Sequence, residues 1–240
     1  MTGLNEAFVV DRATRDRLIA EHPSSAEVLK PSLRGRDVKR WRVDSQDLWL
    51  IFTRRGINIR NYPAIHEYLK PFKKRLMPGV PGGRKPGRYE WYEIQDTVDY
   101  WREFEQPKVI YPDIYEHQSF AWDTAGFYAA NTTYFIPTKQ QWLTGLLNSA
   151  CVEWFYGQIC NRVRGGYLRA FSDYMRQIPI PLATPSQQKE IVALVDKILA
   201  LKRADPSADV SALEHEIDER VYRLYGLTPD EIKIVEEGTK

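Results

Sequence analysis

The tetrapeptide Ile178-Pro179-Ile180-Pro181 constrains this chain more than any other feature. A residue ahead of a proline is pushed out of the α region, so the backbone there is extended, and the character of the sequence changes across it. Beyond it every signal is helical. Thr184, Pro185 and Gln187 give a capping box with proline at the first helical position, and Ile191, Leu194, Val195 and Ile198 give an apolar stripe. Asp205-Pro206-Ser207 turns the chain, Ser211 with Glu214 restarts a helix, and Leu213, Ile217, Val221 and Leu224 carry its apolar face to a stop at Gly226. Thr228, Pro229 and Glu231 begin a last short helix. The sequence therefore predicts one domain over residues 1–182 and a helical hairpin with a tail over 184–240.

Ahead of the boundary the pattern is mixed. Phe8-Val9-Val10 reads as a short strand, Asp11 to Ala20 as a charged helix starting from an aspartate cap, and Leu48 to Phe52 as a strand buried on both faces. Positions 61–76 read as a helix after Pro63 that Pro71 interrupts, and Met77 to Arg88, rich in proline and glycine, as an exposed mobile loop. Three apolar runs, 108–111, 119–122 and 132–136, with Asp123-Thr124-Ala125-Gly126 as a hairpin turn, predict an antiparallel sheet. Thr138 and Gln141 form a capping box for a helix reaching Ile159, and Gly165-Gly166 forbids a continuous helix in the stretch that follows. The expected fold class is α/β: a mixed, largely antiparallel sheet with surrounding helices and long basic loops, followed by the helical hairpin.

Its 240 residues allow one to two domains, and 43% hydrophobic with 12% aromatic residues is enough to bury a core. No apolar run approaches the roughly 20 residues of a membrane span, and charged residues fill the first twenty positions where a signal peptide would be apolar. Cys151 and Cys160 are too few for a disulfide framework, which points to a reducing, cytoplasmic setting.

Charge is the feature that points to a partner. Between Arg34 and Arg88 stand fifteen Lys/Arg against four Asp/Glu, so this stretch carries +11 of a chain whose net charge is +2. A second basic stretch, Asn161 to Arg176, sets Arg162, Arg164, Arg169 and Arg176 against Asp173 alone. Cations that track a phosphate backbone release condensed counterions and supply affinity, while planar donors on loops read base edges. The candidate DNA-binding residues are Arg34, Arg36, Lys39, Arg40, Arg54, Arg55, Arg60, Lys73, Lys74, Arg75, Arg84, Lys85, Arg88, Arg162, Arg164, Gly165, Gly166, Tyr167 and Arg169. The four histidines are scattered without metal-ligand spacing, no Gly-x-Gly marks a nucleotide turn, and no Pro-Pro pair is present for a base-extruding methylase loop. No catalytic, cofactor-binding or metal site is expected in this chain. Pro112-Asp113 with Glu116 resembles nuclease carboxylates, but no Glu-x-Lys follows at useful distance. The competing readings are a nuclease or methylase with unfamiliar motifs, and an RNA-binding or protein-interaction module.

An ordered set of landmarks carries a family resemblance. Leu33 to Trp41, Tyr62-Pro63, Phe72 to Leu76, Trp91 to Gln95, Pro107 to Ile114 and Asn131 to Ile136 together resemble the TaqI-like C-terminal specificity domain. Gly165-Gly166-Tyr167-Leu168-Arg169 through Pro181, with Gln188 to Ile191, also resembles the target-recognition domains of type I specificity subunits, and Glu214 to Leu227 resembles the Taq-type tail. The resemblance implies sequence-specific recognition of double-stranded DNA for an adenine-specific methyltransferase or fused restriction-modification enzyme. It further implies a catalytic domain, fused upstream or separate, that uses S-adenosylmethionine on a flipped adenine. No membrane enters this picture. Arg34-Gly35-Arg36, Lys39 and Gly165-Gly166-Tyr167 are the elements the resemblance assigns to scaffold and backbone gripping.

Overall fold

The computed structural model describes residues 1–163 and 165–239. The chain packs as two compact units that are discontinuous in sequence: 1–33 with 45–105 and 125–131, and 34–44 with 106–124 and 132–240. The division thus falls elsewhere than the 182/184 break. Prolines at 179 and 181 set local backbone, whereas unit membership is decided by which apolar faces meet.

The first unit is built on a four-stranded sheet in the order Val9–Val10, Leu48–Ile51, Leu29–Leu33, Tyr128–Ala129. The first three strands are antiparallel neighbours and the last joins in parallel, Ser32 opposite Tyr128. Leu48–Ile51 is an inner strand, as its apolar run predicts, although only Leu50 and Ile51 are fully buried. Helix Arg12–Glu21 starts where expected, the Asp11 carboxylate accepting from the Thr14 N–H at 2.8 Å. Pro63 opens helix Pro63–Leu69, and Pro71 tightens the next residues into a 3-10 turn, Lys70–Phe72, before helix Lys73–Leu76. Aromatic packing closes the core, with Tyr128 ring centroids 4.9 Å from Phe52 and 4.7 Å from Phe104.

The second unit holds a three-stranded antiparallel sheet in the order Thr133–Pro137, Lys108–Pro112, Ala121–Asp123. The three apolar runs do form it, but the 123–126 segment is no hairpin turn: the strands on either side of it are not neighbours, and Tyr128–Ala129 belongs to the first unit's sheet. Lys108 and Asp123 face each other across the ladder as a fully buried ion pair at 2.5 Å, and burial pulls the Lys108 ammonium below its ordinary pKa.

The helix expected to run unbroken to Ile159 is two, Trp142–Leu147 and Ala150–Ile159, and the Thr138 box does not form. Asn148 breaks the run by exchanging two hydrogen bonds with the Phe120 backbone, and Ser149 then caps the second helix by accepting from the Val152 N–H. Thr184 and Thr228 do cap helices Pro185–Ala204 and Pro229–Gly238 through full capping boxes, and Gly226 ends Ser211–Tyr225 at φ 69°. Ile191, Leu194, Val195, Ile198, Ile217 and Val221 share one core with Trp142, Leu146, Leu147 and Val152, so the tail is integral to this unit. Gly145 permits that closeness, since a Cβ there would lie 2.6 Å from Ile191 Cγ2. Among the described residues no helix is long and apolar enough to cross a membrane.

Candidate nucleic-acid interface

In the first unit the candidate DNA-binding residues lie on three successive stretches. Residues 53–60 leave the inner strand through a turn at Gly56, φ 77°, whose N–H donates to the Glu93 carboxylate at 2.6 Å. Glu93 also accepts from the Glu90 N–H at 2.9 Å and is buried, so one carboxylate fixes two loops. Sequence reasoning missed it because Glu93 stands in the landmark Trp91 to Gln95 while its Gly56 partner lies 37 positions away, so the bond leaves no local mark. Arg54 and Arg60 are exposed on this stretch, and Arg54 and Arg102 lie over the Trp101 ring, at 5.7 and 4.5 Å. Arg55 is half-buried, donating to the Gln95 carbonyl at 2.5 Å and lying over Tyr89.

The second stretch, helix Lys73–Leu76, exposes Lys73, Lys74 and Arg75, of which Arg75 is paired with Glu6 at 2.6 Å while Lys73 reaches over the Trp91 ring. The third, Met77 to Arg88, requires a correction. Arg84 is not a phosphate contact. It is 5% exposed, and its guanidinium donates to the carbonyls of Thr2, Leu76, Glu93 and Trp91 at 2.8–3.0 Å and of Glu90 at 3.4 Å. Five carbonyls from three chain segments converge on a planar donor with five N–H groups, and burial pulls its pKa below the ordinary arginine value. The neighbouring Lys85 and Arg88 are exposed.

In the second unit the segment 34–43 is similarly divided between scaffold and surface. Arg34 forks onto Asp37, 3.0 Å for each of its two bonds, and Gly35 donates to Thr132 Oγ1 at 2.9 Å. Strands Val38–Lys39 and Arg42–Val43 are joined by the two-residue turn Arg40-Trp41, with buried Trp41 at φ 68°. That left-handed conformation is costly for tryptophan and is held by the Trp41 indole N–H donating to Glu214 at 2.5 Å. Arg40 donates to the same carboxylate at 2.5 Å and to the Asn148 carbonyl at 2.7 Å, so it is engaged within the protein. Arg36 and Lys39 are exposed.

Within the second basic stretch lies a small ladder, Leu168–Arg169 against Ile114–Tyr115. Gly165 and Gly166 have φ of 93° and 84°, conformations that favour glycine, and exposed Arg162 donates to the Gly166 carbonyl at 3.1 Å. Tyr167 is exposed, and Arg169 is half-buried over the Phe171 ring at 4.3 Å. Arg164 lies outside the described residues.

Of the candidate cations, Arg36, Lys39, Arg54, Arg60, Lys73, Lys74, Lys85, Arg88 and Arg162 are exposed with no ion-pair partner within 4 Å among the described residues. Arg34, Arg40, Arg55, Arg75 and Arg84 are committed to protein groups. The two classes are interleaved along the chain, and the committed Arg40, Arg55 and Arg84 hold backbone carbonyls close to the unpaired Lys39, Arg54 and Lys85.

Residues 30–180 match the family model of the TaqI-like C-terminal specificity domain. The chain is 26% identical over 213 residues to the type II methyltransferase M.XhoI of Xanthomonas vasicola, covering 85% of this chain and 36% of that protein. It is 24% identical over 247 residues to the type II methyltransferase M.BstVI of Geobacillus stearothermophilus, covering 99% of this chain and 40% of the relative. It thus spans well under half the length of these relatives. A solved structure of the type IIL restriction-modification enzyme MmeI in complex with DNA superposes on 99% of this chain and 34% of that one, with TM-score 0.67 and 17% identity. That likeness is one of fold.

Proposed function

Because the chain belongs to the TaqI-like C-terminal specificity domain family, we propose that it recognises a short sequence in double-stranded DNA and thereby directs a DNA methyltransferase or restriction-modification enzyme. The observation that carries this reading is that Arg54, Lys85 and Arg88 stand exposed and unpaired on loops whose backbones are fixed by charge-assisted hydrogen bonds of the buried Glu93 and Arg84. Unpaired Lys and Arg supply phosphate affinity, and fixed loops present donors to base edges at little entropic cost. The methylation itself belongs to a catalytic domain outside these residues, fused or separate. An adenine target, S-adenosylmethionine as methyl donor there, and a cytoplasmic location are parts of the same proposal.

The test is fluorescence anisotropy of the 240-residue chain on a labelled duplex between 50 and 300 mM salt. With about six phosphates contacted, log affinity falls against log salt with a slope near −5. A flat response, or equal affinity for a structured RNA competitor, defeats the proposal. Strand cleavage or methyl transfer by the isolated chain given magnesium and S-adenosylmethionine would place catalysis here instead.

A further inference from the structure

The segment Met77 to Arg84 is a built projection, not the irregular loop its composition predicts. The Arg84 N–H donates to the Met77 carbonyl at 3.0 Å and the Gly79 N–H to the Arg84 carbonyl at 2.9 Å, closing its base. The Gly83 N–H donates to the Val80 carbonyl at 2.9 Å, closing its tip. Pro81 and Gly82, the latter at φ 74°, occupy the two central positions of that turn, the signature of a type II turn. Gly83 is required as well, since a Cβ there would lie 2.2 Å from the Met77 carbonyl oxygen. The base is anchored by the Arg84 guanidinium described above, and the following residues wrap Tyr89, whose hydroxyl donates to the Lys85 carbonyl.

Such a construction holds something out into solvent. What it holds out is apolar: Val80 is 40% exposed, and Pro81 and Gly82 are exposed with it. An apolar tip surrounded by acidic or neutral groups would suit a protein partner. Here Lys73 and Lys74 precede the projection and Lys85 and Arg88 follow it, all exposed and without an ion-pair partner among the described residues. Cations at the base and a small rigid apolar tip are the two parts of a DNA wedge: phosphates are held at the rim while the tip presses between base steps and partly unstacks them.

We propose that Val80 and Pro81 form an apolar wedge that enters a groove of the duplex and bends it at one base step. The wedge adds sequence preference without hydrogen bonds to bases, because the cost of kinking is lowest at pyrimidine–purine steps. It rests on the DNA-recognition reading and names one means of that recognition.

The experiment is selection from a random-sequence duplex library by the 240-residue chain, followed by sequencing of bound and free pools. Wild type enriches a motif that includes a pyrimidine–purine step. Val80→Ser with Pro81→Ala lowers the enrichment of that step by roughly tenfold, the size of one mismatched base pair, and leaves the other positions in place. Val80→Leu retains the preference. Lys73→Ala with Lys74→Ala weakens binding evenly across sequences. In end-labelled duplexes carrying the motif, energy transfer rises on binding wild type and not the Val80/Pro81 variant. Both substituted side chains are exposed, so the variants unfold thermally with wild type. If the Val80/Pro81 variant selects the wild-type motif with undiminished enrichment, or wild type leaves the duplex ends apart, the wedge is overturned while DNA recognition stands. If wild type enriches no motif, the recognition reading falls and the wedge with it.

Discussion

Replacing Arg84 by alanine separates a structural arginine from a DNA-binding one. The substitution removes four hydrogen bonds of 2.8–3.0 Å and a fifth of 3.4 Å, every one to a backbone carbonyl. Bonds from a charged donor contribute about 1.5 kcal/mol each, so the four short ones amount to about 6 kcal/mol. Keeping a guanidinium out of water offsets several kcal/mol of that, which leaves a net loss on the order of 3 kcal/mol. In urea, with a slope of about 2–3 kcal/mol per molar, the midpoint followed by tryptophan fluorescence falls by about 1 M. Below that transition the salt dependence of DNA binding keeps the wild-type slope, because no phosphate contact is lost. Arg88→Ala behaves in the opposite way: stability is unchanged within about 0.5 kcal/mol, and the log–log slope becomes shallower by about 0.9. If Arg84→Ala left the urea midpoint in place and flattened the salt response, the scaffold role deduced from its carbonyl partners would be wrong.

Three further substitutions probe the scaffold. Burial pushes the Asp218 carboxyl up to about 6, so its contribution to stability is intact below its unfolded pKa of about 3.9 and is lost as pH rises through 6. Asp218→Asn, which still accepts from the Ala150 N–H, is therefore more stable than wild type at pH 7.5 by about 2 kcal/mol and loses that advantage at pH 4; an equal difference in urea midpoint at both pH values would contradict this. Gly35→Ala places a Cβ 2.3 Å from the Thr132 carbonyl oxygen, and a stability loss of about 2 kcal/mol or more by chemical denaturation is expected, with less than 0.5 kcal/mol disproving the clash. Asp123→Asn strands the fully buried Lys108 ammonium and should cost about 3–5 kcal/mol, whereas a neutral effect in thermal unfolding would mean that Lys108 is held uncharged.

What could be read along the sequence was whatever is decided within a few residues. The boxes at Thr184 and Thr228, the aspartate cap at 11, the stop at Gly226 and the break at Pro71 are local contacts, and each stands where the pattern puts it. The failures share the opposite character. Ser211 and Glu214 look like a cap, yet Glu214 is drawn to Arg40 and Trp41 from far along the chain, and Asp209 supplies the acceptor for the Ser211 N–H. Asn148 interrupts an apparently continuous helix because Phe120 offers it two backbone groups. Of the candidate interface, the concentration of charge was legible from the positions of Lys and Arg along the chain. Which arginines face water was not, since Arg84 and Arg88 differ only in whether carbonyls from Thr2 and Glu93 arrive around them. The family resemblance succeeded where periodicity failed because it rests on the order of many landmarks, and that order is set by the whole fold.

Five times the backbone passes from one compact unit to the other, at 33/34, 44/45, 105/106, 124/125 and 131/132. No single cut yields either unit as one piece of chain, and a terminal truncation into either body removes strands or helices whose partners stay behind. Under the proposed recognition of DNA, exchanging target preference between relatives is accordingly a matter of replacing exposed loops in place, such as 77–88, with the framework of both units left intact. Splicing contiguous halves would leave each chimera with two incomplete cores.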